Sequence, residues 1–289
     1  MAVEWTDKAL VLRVGRFREA DMWVRLLVPS RGIVQAFAFG GSRSRRRFCG
    51  CLDLLNTVLC RVRATGNGAY LSLQEGTLLH APMALRRDHR RLGVAVNCVR
   101  FTEALGVEAA DAPLSQPAPQ APLQGVAEPG ALFAPPLAAG GVVGKGGLGC
   151  AAFALLGAAL RLLEGEREPQ GIFPLQYRLR LASEQGQAPA LDVCGVCGAP
   201  VDAGYFRVDE AHMLCPVCAA RAAGASGRYR VRLGRQALAA LRVVQAAPPD
   251  AWGQAPLEGE ELRQCARAID GFVQYHLGIA WQDGRFCRV

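Results

Sequence analysis

The feature that most restricts this chain is a pair of short motifs, Cys194-Gly-Val-Cys197-Gly198 and Cys215-Pro-Val-Cys218, with 17 residues between them. Each Cys-x-x-Cys turn aims two sulfurs at one point, and two such turns complete a tetrahedron around one ion. Cys194, Cys197, Cys215 and Cys218 therefore read as ligands of one structural Zn2+. Two disulfides would need an oxidising compartment, and buried free thiols would not come in matched pairs. A catalytic zinc keeps one position open, whereas four thiolates close the shell; His212 is the alternative to one of the cysteines. Zinc deaminases also need His-x-Glu upstream of Pro-Cys-x-x-Cys. None of His80, His89, His212 or His276 is followed by x-Glu, and Leu214 precedes Cys215. The ion's expected task is to hold a local fold, contributing about 10 kcal/mol there. Cys49, Cys51, Cys60, Cys98, Cys150, Cys265 and Cys287 lack partner spacing and read as small core or surface residues. Cys49-x-Cys51 alone is a weak metal or redox signal.

A zinc module of this size occupies a small part of 289 residues, a length that predicts about two domains with their own cores. The longest apolar stretch, residues 146–160, falls short of the ~20 residues a bilayer span needs. Glu4, Asp7, Lys8 and Arg13 interrupt any signal-peptide pattern. The expectation is a cytoplasmic protein without a membrane partner.

Residues 8–78 read as five short strands with period-2 patterning. The apolar positions are Leu10, Leu12 and Val14; Met22, Val24 and Leu26; Ile33, Phe37 and Phe39; Val58, Cys60 and Val62; Leu71 and Leu73. Turn signals at Pro29–Gly32, Gly40–Ser42 and Gly66–Gly68 divide them. Five strands in so short a stretch predict a Greek-key OB-fold barrel, with an SH3-like barrel as the runner-up. From Met83 to about Val107 the period becomes helical. Seven prolines between Asp111 and Pro136, then a glycine run, mark 111–147 as an extended loop. It contains Gly144-x-Gly146-x-x-Gly149, but without a preceding strand the match carries no nucleotide-binding argument. Helices are expected at Cys150–Leu163, Pro174–Ser183, Gly234–Val244 and Glu260–Leu277, and a ribbon strand at Tyr205–Val208. The expected class is α+β, an N-terminal five-stranded barrel followed by an all-helical domain that carries a four-cysteine zinc finger. The divisions are 1–80 for the barrel, 81–185 for the first helical part, 186–230 for the zinc finger and 231–289 for the rest.

The net charge of +8 is concentrated, because residues 1–80 hold 12 Lys+Arg against 6 Asp+Glu. A bias confined to one domain points to an acidic partner there, nucleic acid first. Gly40-Gly-Ser-Arg43-Ser-Arg45-Arg46-Arg47-Phe48 places four arginines within five residues, each able to clamp phosphate oxygens. A solvated charge run is the plainer reading. On an OB-like barrel, a basic groove with aromatic platforms binds single strands. Candidate nucleic-acid contacts are Arg31, Arg43, Arg45, Arg46 and Arg47, extended by Arg86, Arg87, Arg90 and Arg91. Candidate platforms are Trp23, Phe37, Phe39 and Tyr70. No supported Ser/His/Asp arrangement or clustered carboxylates point to catalysis, so no catalytic residue is assigned.

The order of these parts resembles the bacterial recombination mediator family RecO. The similarity rests on Ala9–Gly15, Glu19–Val28 with Arg31-Gly32, and the Arg43–Phe48 run. It continues in Gln176–Leu181 before the cysteine pairs, and in Tyr275-His-Leu-Gly278 with Arg285-Phe286. It covers nearly the whole chain except 111–147. The resemblance implies a non-enzymatic DNA repair and recombination protein that binds single- and double-stranded DNA and anneals complementary strands. It also implies partnership with RecR and with the C-terminal tail of single-strand binding protein, helping to load the RecA recombinase at the nucleoid. The rival readings are an RNA-binding OB protein with a zinc ribbon and a zinc-dependent nucleic-acid enzyme.

Overall fold

The computed structural model describes residues 4–65, 69–107, 147–165, 171–221, 229–253 and 257–289. The Gly66–Gly68 turn and the proline-rich segment up to 146, with the first two glycines of the Gly-x-Gly match, lie outside them.

The first five strands are β1 (Glu4–Arg16), β2 (Met22–Val28), β3 (Gly32–Ala38), β4 (Thr57–Thr65) and β5 (Tyr70–His80). They close into a barrel in the order β1-β2-β3-β5-β4. β1 is long enough to serve both ends of the closure. Its first half pairs with β4 from Glu4 to Leu10, and its second half pairs with β2 from Leu10 to Arg16. β3 and β5 meet in parallel through Ala36 and Phe37. This is the OB-like barrel.

The barrel interior is lined by small and medium side chains, among them Ala9, Val11, Val24, Leu26, Ala36 and Ala38. Of the apolar positions read from the period-2 pattern, those of β2, β4 and β5 face the barrel interior, while Leu10 and Leu12 of β1 and Ile33 and Phe37 of β3 do not. On β1, Leu10 and Leu12 face outward into the helical core, together with Leu27 of β2. On β3, Phe37 and Phe39 face outward too, while Ala36 and Ala38 fill the inside. Five strands enclose little space, so Phe37 of β3 and Leu10 and Leu12 of β1 lie on the exterior, where another layer covers the leucines.

That layer is helical. Helix α1 (Met83–Arg87) is separated from α2 (His89–Leu105) by Asp88, whose carboxylate accepts hydrogen bonds from the Arg90 and Arg91 N–H groups at 2.9 and 3.1 Å. The single helix expected over 83–107 is thus divided by an N-cap. It ends at Gly106 in the left-handed region. Helix α3 (Gly147–Glu164) approaches the β2–β3 turn closely: a side chain at Gly149 would meet Pro29 O and Gly32 N at 2.8 Å. Gly149 is therefore required by packing. Helices α4 (Phe173–Glu184), α6 (Arg235–Ala246) and α7 (Gly259–Leu277) complete the core. Tyr177 on α4 is fully buried, and its hydroxyl lies 2.8 Å from Thr102 Oγ1, which donates to Cys98 O at 2.9 Å.

Between α4 and α6 the chain forms a four-stranded sheet, β6 (Ala190–Cys194), β8 (His212–Leu214), β7 (Gly204–Arg207) and β9 (Arg230–Leu233) in spatial order, with the short helix α5 (Pro216–Arg221). The last element is a hairpin, β10 (Ile279–Gln282) and β11 (Arg285–Arg288), for which the sequence reading had no strand. Its Phe286 packs on Phe101 at 5.3 Å and beneath the Arg178 guanidinium at 4.8 Å. No helix among the described residues is long and apolar enough to cross a membrane.

Tyr177→Phe is expected to cost about 1 kcal/mol, because Thr102 keeps its bond to Cys98 O. Tyr177→Ala should cost about 3–5 kcal/mol by opening a cavity. Denaturant unfolding of the two variants separates these losses.

Candidate metal centre and nucleic-acid interface

The two cysteine turns meet at one end of the small sheet. Cys194 closes β6, and its turn is fixed by Gly198 N–H donating to Cys194 O at 2.8 Å, with Gly198 at φ +72°. Cys215 follows β8 and leads into α5, where Cys218 N–H points at Cys215 Sγ, 3.4 Å away. Ligand atoms of all four cysteines lie within 4.8 Å of one another, and Cys197 Sγ is 3.8 Å from Cys215 Sγ. A tetrahedron with metal–sulfur bonds of about 2.3 Å has edges of about 3.8 Å. The donor set therefore fits a thiophilic ion, and the four cysteines could hold one.

The electrostatics agree with that fit. Burial pushes the Cys194 thiol up, but backbone hydrogen bonds at Cys215, Cys197 and Val196 bring it down to about 6. Hydrogen bonds with Cys215 and Cys197 hold Cys218 up at about 12, with burial adding to the rise. Without a cation, sulfurs this close cannot all be thiolates. His212 is not a member of the cluster. Its ring lies against Gly195, where a Cβ would sit 2.3 Å from it, and its Nε2 is 3.2 Å from Glu210. The remaining described cysteines do not form a second cluster with metal-ligand spacing. Burial pushes Cys51 to about 11 and Cys60 to about 12, as expected of inert core thiols.

The outer barrel face carries the other constellation. Phe37 centres a group of rings with Phe17 at 5.2 Å, Tyr70 at 6.0 Å and Phe39 at 6.4 Å. Phe17, Phe39 and Tyr70 are each more than one-third exposed. Phe37 and Tyr70 are held by β3 and β5, Phe17 by the β1–β2 loop. Strands 2 and 3 with this loop form the usual oligonucleotide-binding side of such barrels. Trp23 lies next to this group in register, opposite Phe37, with its indole against Gly15.

Two stretches of the chain match family models. The model described as Recombination protein O N terminal covers residues 1–82, and the one described as Recombination protein O C terminal covers residues 151–283. The DNA repair protein RecO of Nitratidesulfovibrio vulgaris is 44% identical over 99% of this chain and 100% of its own length. Those of Solidesulfovibrio magneticus and Lawsonia intracellularis are 41% and 35% identical, with the same coverage. The chain belongs to the RecO family. It is a RecO-family DNA repair protein.

In this RecO-family chain the basic loop is pinned to the barrel. Gly40 N–H donates to Asp21 Oδ1 at 2.7 Å, Ser42 Oγ to Ala20 O at 3.0 Å, and Arg43 pairs with Glu19. Arg47 donates to Phe39 O at 2.7 Å and lies over the Phe48 ring. Gly40, at φ +66°, and Gly41, whose N–H donates to Ala38 O at 3.0 Å, form a turn here. Arg45 and Arg46 are exposed and have no partner among the described residues. Arg31 covers the Trp5 ring at 4.8 Å. Arg86 pairs with Asp53 and donates to Asn56 Oδ1 at 2.9 Å, and Arg91 pairs with Asp88 and caps carbonyls at the end of α3, including Leu163 O at 3.2 Å. Both fasten helices to their neighbours, whereas Arg87 and Arg90 are exposed on the helical side. The sequence reading missed Phe17, which sits in the β1–β2 loop beyond the alternating pattern.

Binding of one divalent ion at the four sulfurs is expected to release protons, since thiols above neutrality must ionise. Affinity should therefore fall as the pH drops toward 6. Calorimetric titration in buffers of different ionisation heat measures the proton count. Cys197→Ser should weaken binding at least tenfold.

Proposed function

We propose that this chain is a non-enzymatic mediator that binds single- and double-stranded DNA and anneals complementary strands. It helps load RecA onto strands coated by single-strand binding protein, with RecR and that protein's C-terminal tail as partners. The observation that carries the reading is the ring cluster Phe17, Phe37, Phe39 and Tyr70, with the exposed Arg45 and Arg46, which have no partner among the described residues, on the loop that follows Phe39. Exposed rings offer π-faces to any base, and the guanidiniums neutralise the backbone. Arg43 and Arg47 brace the loop and present their remaining donors at its rim. Arg31, Arg87 and Arg90 extend the positive field around it. Lowered repulsion between two strands lets base pairing drive annealing.

At the cysteine cluster the ion is Zn2+, held by Cys194, Cys197, Cys215 and Cys218 in a structural role. Bound there, it supplies cross-linking of β6 to α5. Arg242 fastens the same module to α6 through Val201 O at 2.6 Å and Leu191 O at 2.8 Å. The barrel interior forms a cluster separate from the one that holds Cys194 and Cys218.

The loop and the rings should separate in salt titrations of a single-stranded oligonucleotide. Arg45→Ala with Arg46→Ala is expected to lower the slope of log K against log salt by about 1.4, at ~0.7 per phosphate. Phe39→Ala with Tyr70→Ala should weaken binding by about 1–3 kcal/mol per base released and leave the slope unchanged. Annealing of strands coated by single-strand binding protein should slow in both variants. Equal affinity of all forms for the oligonucleotide would refute the reading, and preference for RNA of equal sequence would redirect it.

A further inference from the structure

A cleft of about 540 Å³ opens between the barrel, α2 and the β10–β11 hairpin. Four arginines line it, Arg13 and Arg25 from the barrel, Arg100 from α2 and Arg285 from the hairpin, over an apolar floor that includes Leu12, Val99 and Phe286. The only acidic group among its lining residues is Glu103, so positive charge dominates. Its size falls in the range of about 300–1,000 Å³ typical of ligand sites.

The strand register joins this cleft to the aromatic face. Three rows cross the outer side of β1, β2 and β3. The first, Leu10, Leu27 and Ile33, lies beneath the helical core. The second is Arg13, Arg25 and Gln35, and the third is Gly15, Trp23 and Phe37. Beyond it come Phe17, Phe39 and Tyr70. A bulge between Val11 and Arg13 brings Arg13 into the second row, because it turns Arg13 to the same outer side as Leu12. Trp23 and Arg25 are two residues apart on β2, about 7 Å along the strand. That is comparable to the step between neighbouring phosphates of an extended strand.

Glu103 sets the arginines. Its side chain is only 5% exposed; Oε2 accepts from Arg13 at 2.9 Å, and Oε1 lies 3.6 Å from Arg25 and accepts no hydrogen bond. One carboxylate thus holds two guanidiniums at the cleft while leaving most of their donors uncommitted. Arg100 spends one donor on Gly284 O at 2.8 Å, and Arg285 has no partner among the described residues.

We infer that a single nucleic-acid strand lying on the aromatic face continues over Trp23 into this cleft, where Arg13, Arg25, Arg100 and Arg285 bind its phosphates and Glu103 acts as their positioning residue. The inference rests on the reading of the aromatic face as a strand-binding surface. It adds a second segment to the track. Binding energy should therefore keep growing with oligonucleotide length after the aromatic face is filled.

The test uses the full chain and labelled oligothymidylates of increasing length. Arg100→Ala with Arg285→Ala should lower the salt slope by about 1.4 for two lost phosphates, and should stop the gain in affinity at a shorter length than in the unaltered protein. Glu103→Gln should act in the opposite sense, raising affinity and slope by freeing Arg13 and Arg25. Damage to folding cannot produce both changes. If the unaltered protein binds no oligonucleotide, the functional reading fails and this inference with it. If it binds, and Phe39→Ala with Tyr70→Ala weakens binding while the cleft variants match the unaltered protein at every length, this inference alone is overturned. Loss of affinity for an aspartate-rich peptide, with oligonucleotide binding unchanged, would also overturn it and assign the cleft to an acidic protein segment.

Discussion

Everything in this molecule leans on two strands that share a stretch apolar on both sides. On β1 and β2, Ala9, Val11, Val24 and Leu26 fill the barrel while Leu10, Leu12 and Leu27 enter the helical core. Where these strands are buried on both faces they have no polar side to give to water, so the helical layer is obligatory there; only beyond it do Arg13 and Arg25 face outward. This shared wall sets where α2 and α3 lie. Through them it sets the position of the sheet that carries the cysteines and of the hairpin.

The sequence made some of this legible and hid the rest for identifiable reasons. Paired cysteines carry their geometry in their spacing, because a Cys-x-x-Cys turn has one sensible use. Strand positions were readable from turn residues and alternation. The facing of β1 and β3 was not, because alternation tells which residues share a side and says nothing about which side is interior. In β3 the bulky residues Phe37 and Phe39 suggested the core, yet the small Ala36 and Ala38 occupy it. The hairpin at 279–288 escaped because Ile279, Ala280, Trp281 and Gln282 form too short a run to show a period. Arg13 and Arg25 looked like ordinary solvent-facing strand residues; only cross-strand register, and Glu103 arriving from ninety residues away, sets them together.

Arginine count is a poor guide to binding in a chain this rich in arginine. Arg86, Arg91, Arg178, Arg180 and Arg242 all spend donors on carbonyls or carboxylates of the same molecule. Their long stems cover apolar surface while the heads close hydrogen bonds between elements. Arg45, Arg46 and Arg285, by contrast, have guanidiniums with no partner among the described residues. The acidic partner suggested by the charge bias thus concerns only those cations that the fold has not already committed.

The contact of Phe286 with Phe101 spans nearly two-thirds of the chain. The barrel's strands are neighbours in sequence and can collapse while the ribosome is still reading later codons. The helical half must wait for Phe286 before α2 is sealed beneath Arg178. Until α2 and α3 have been made and docked, the leucines on the barrel's exterior stay uncovered, so a nascent barrel is open to aggregation until this layer arrives.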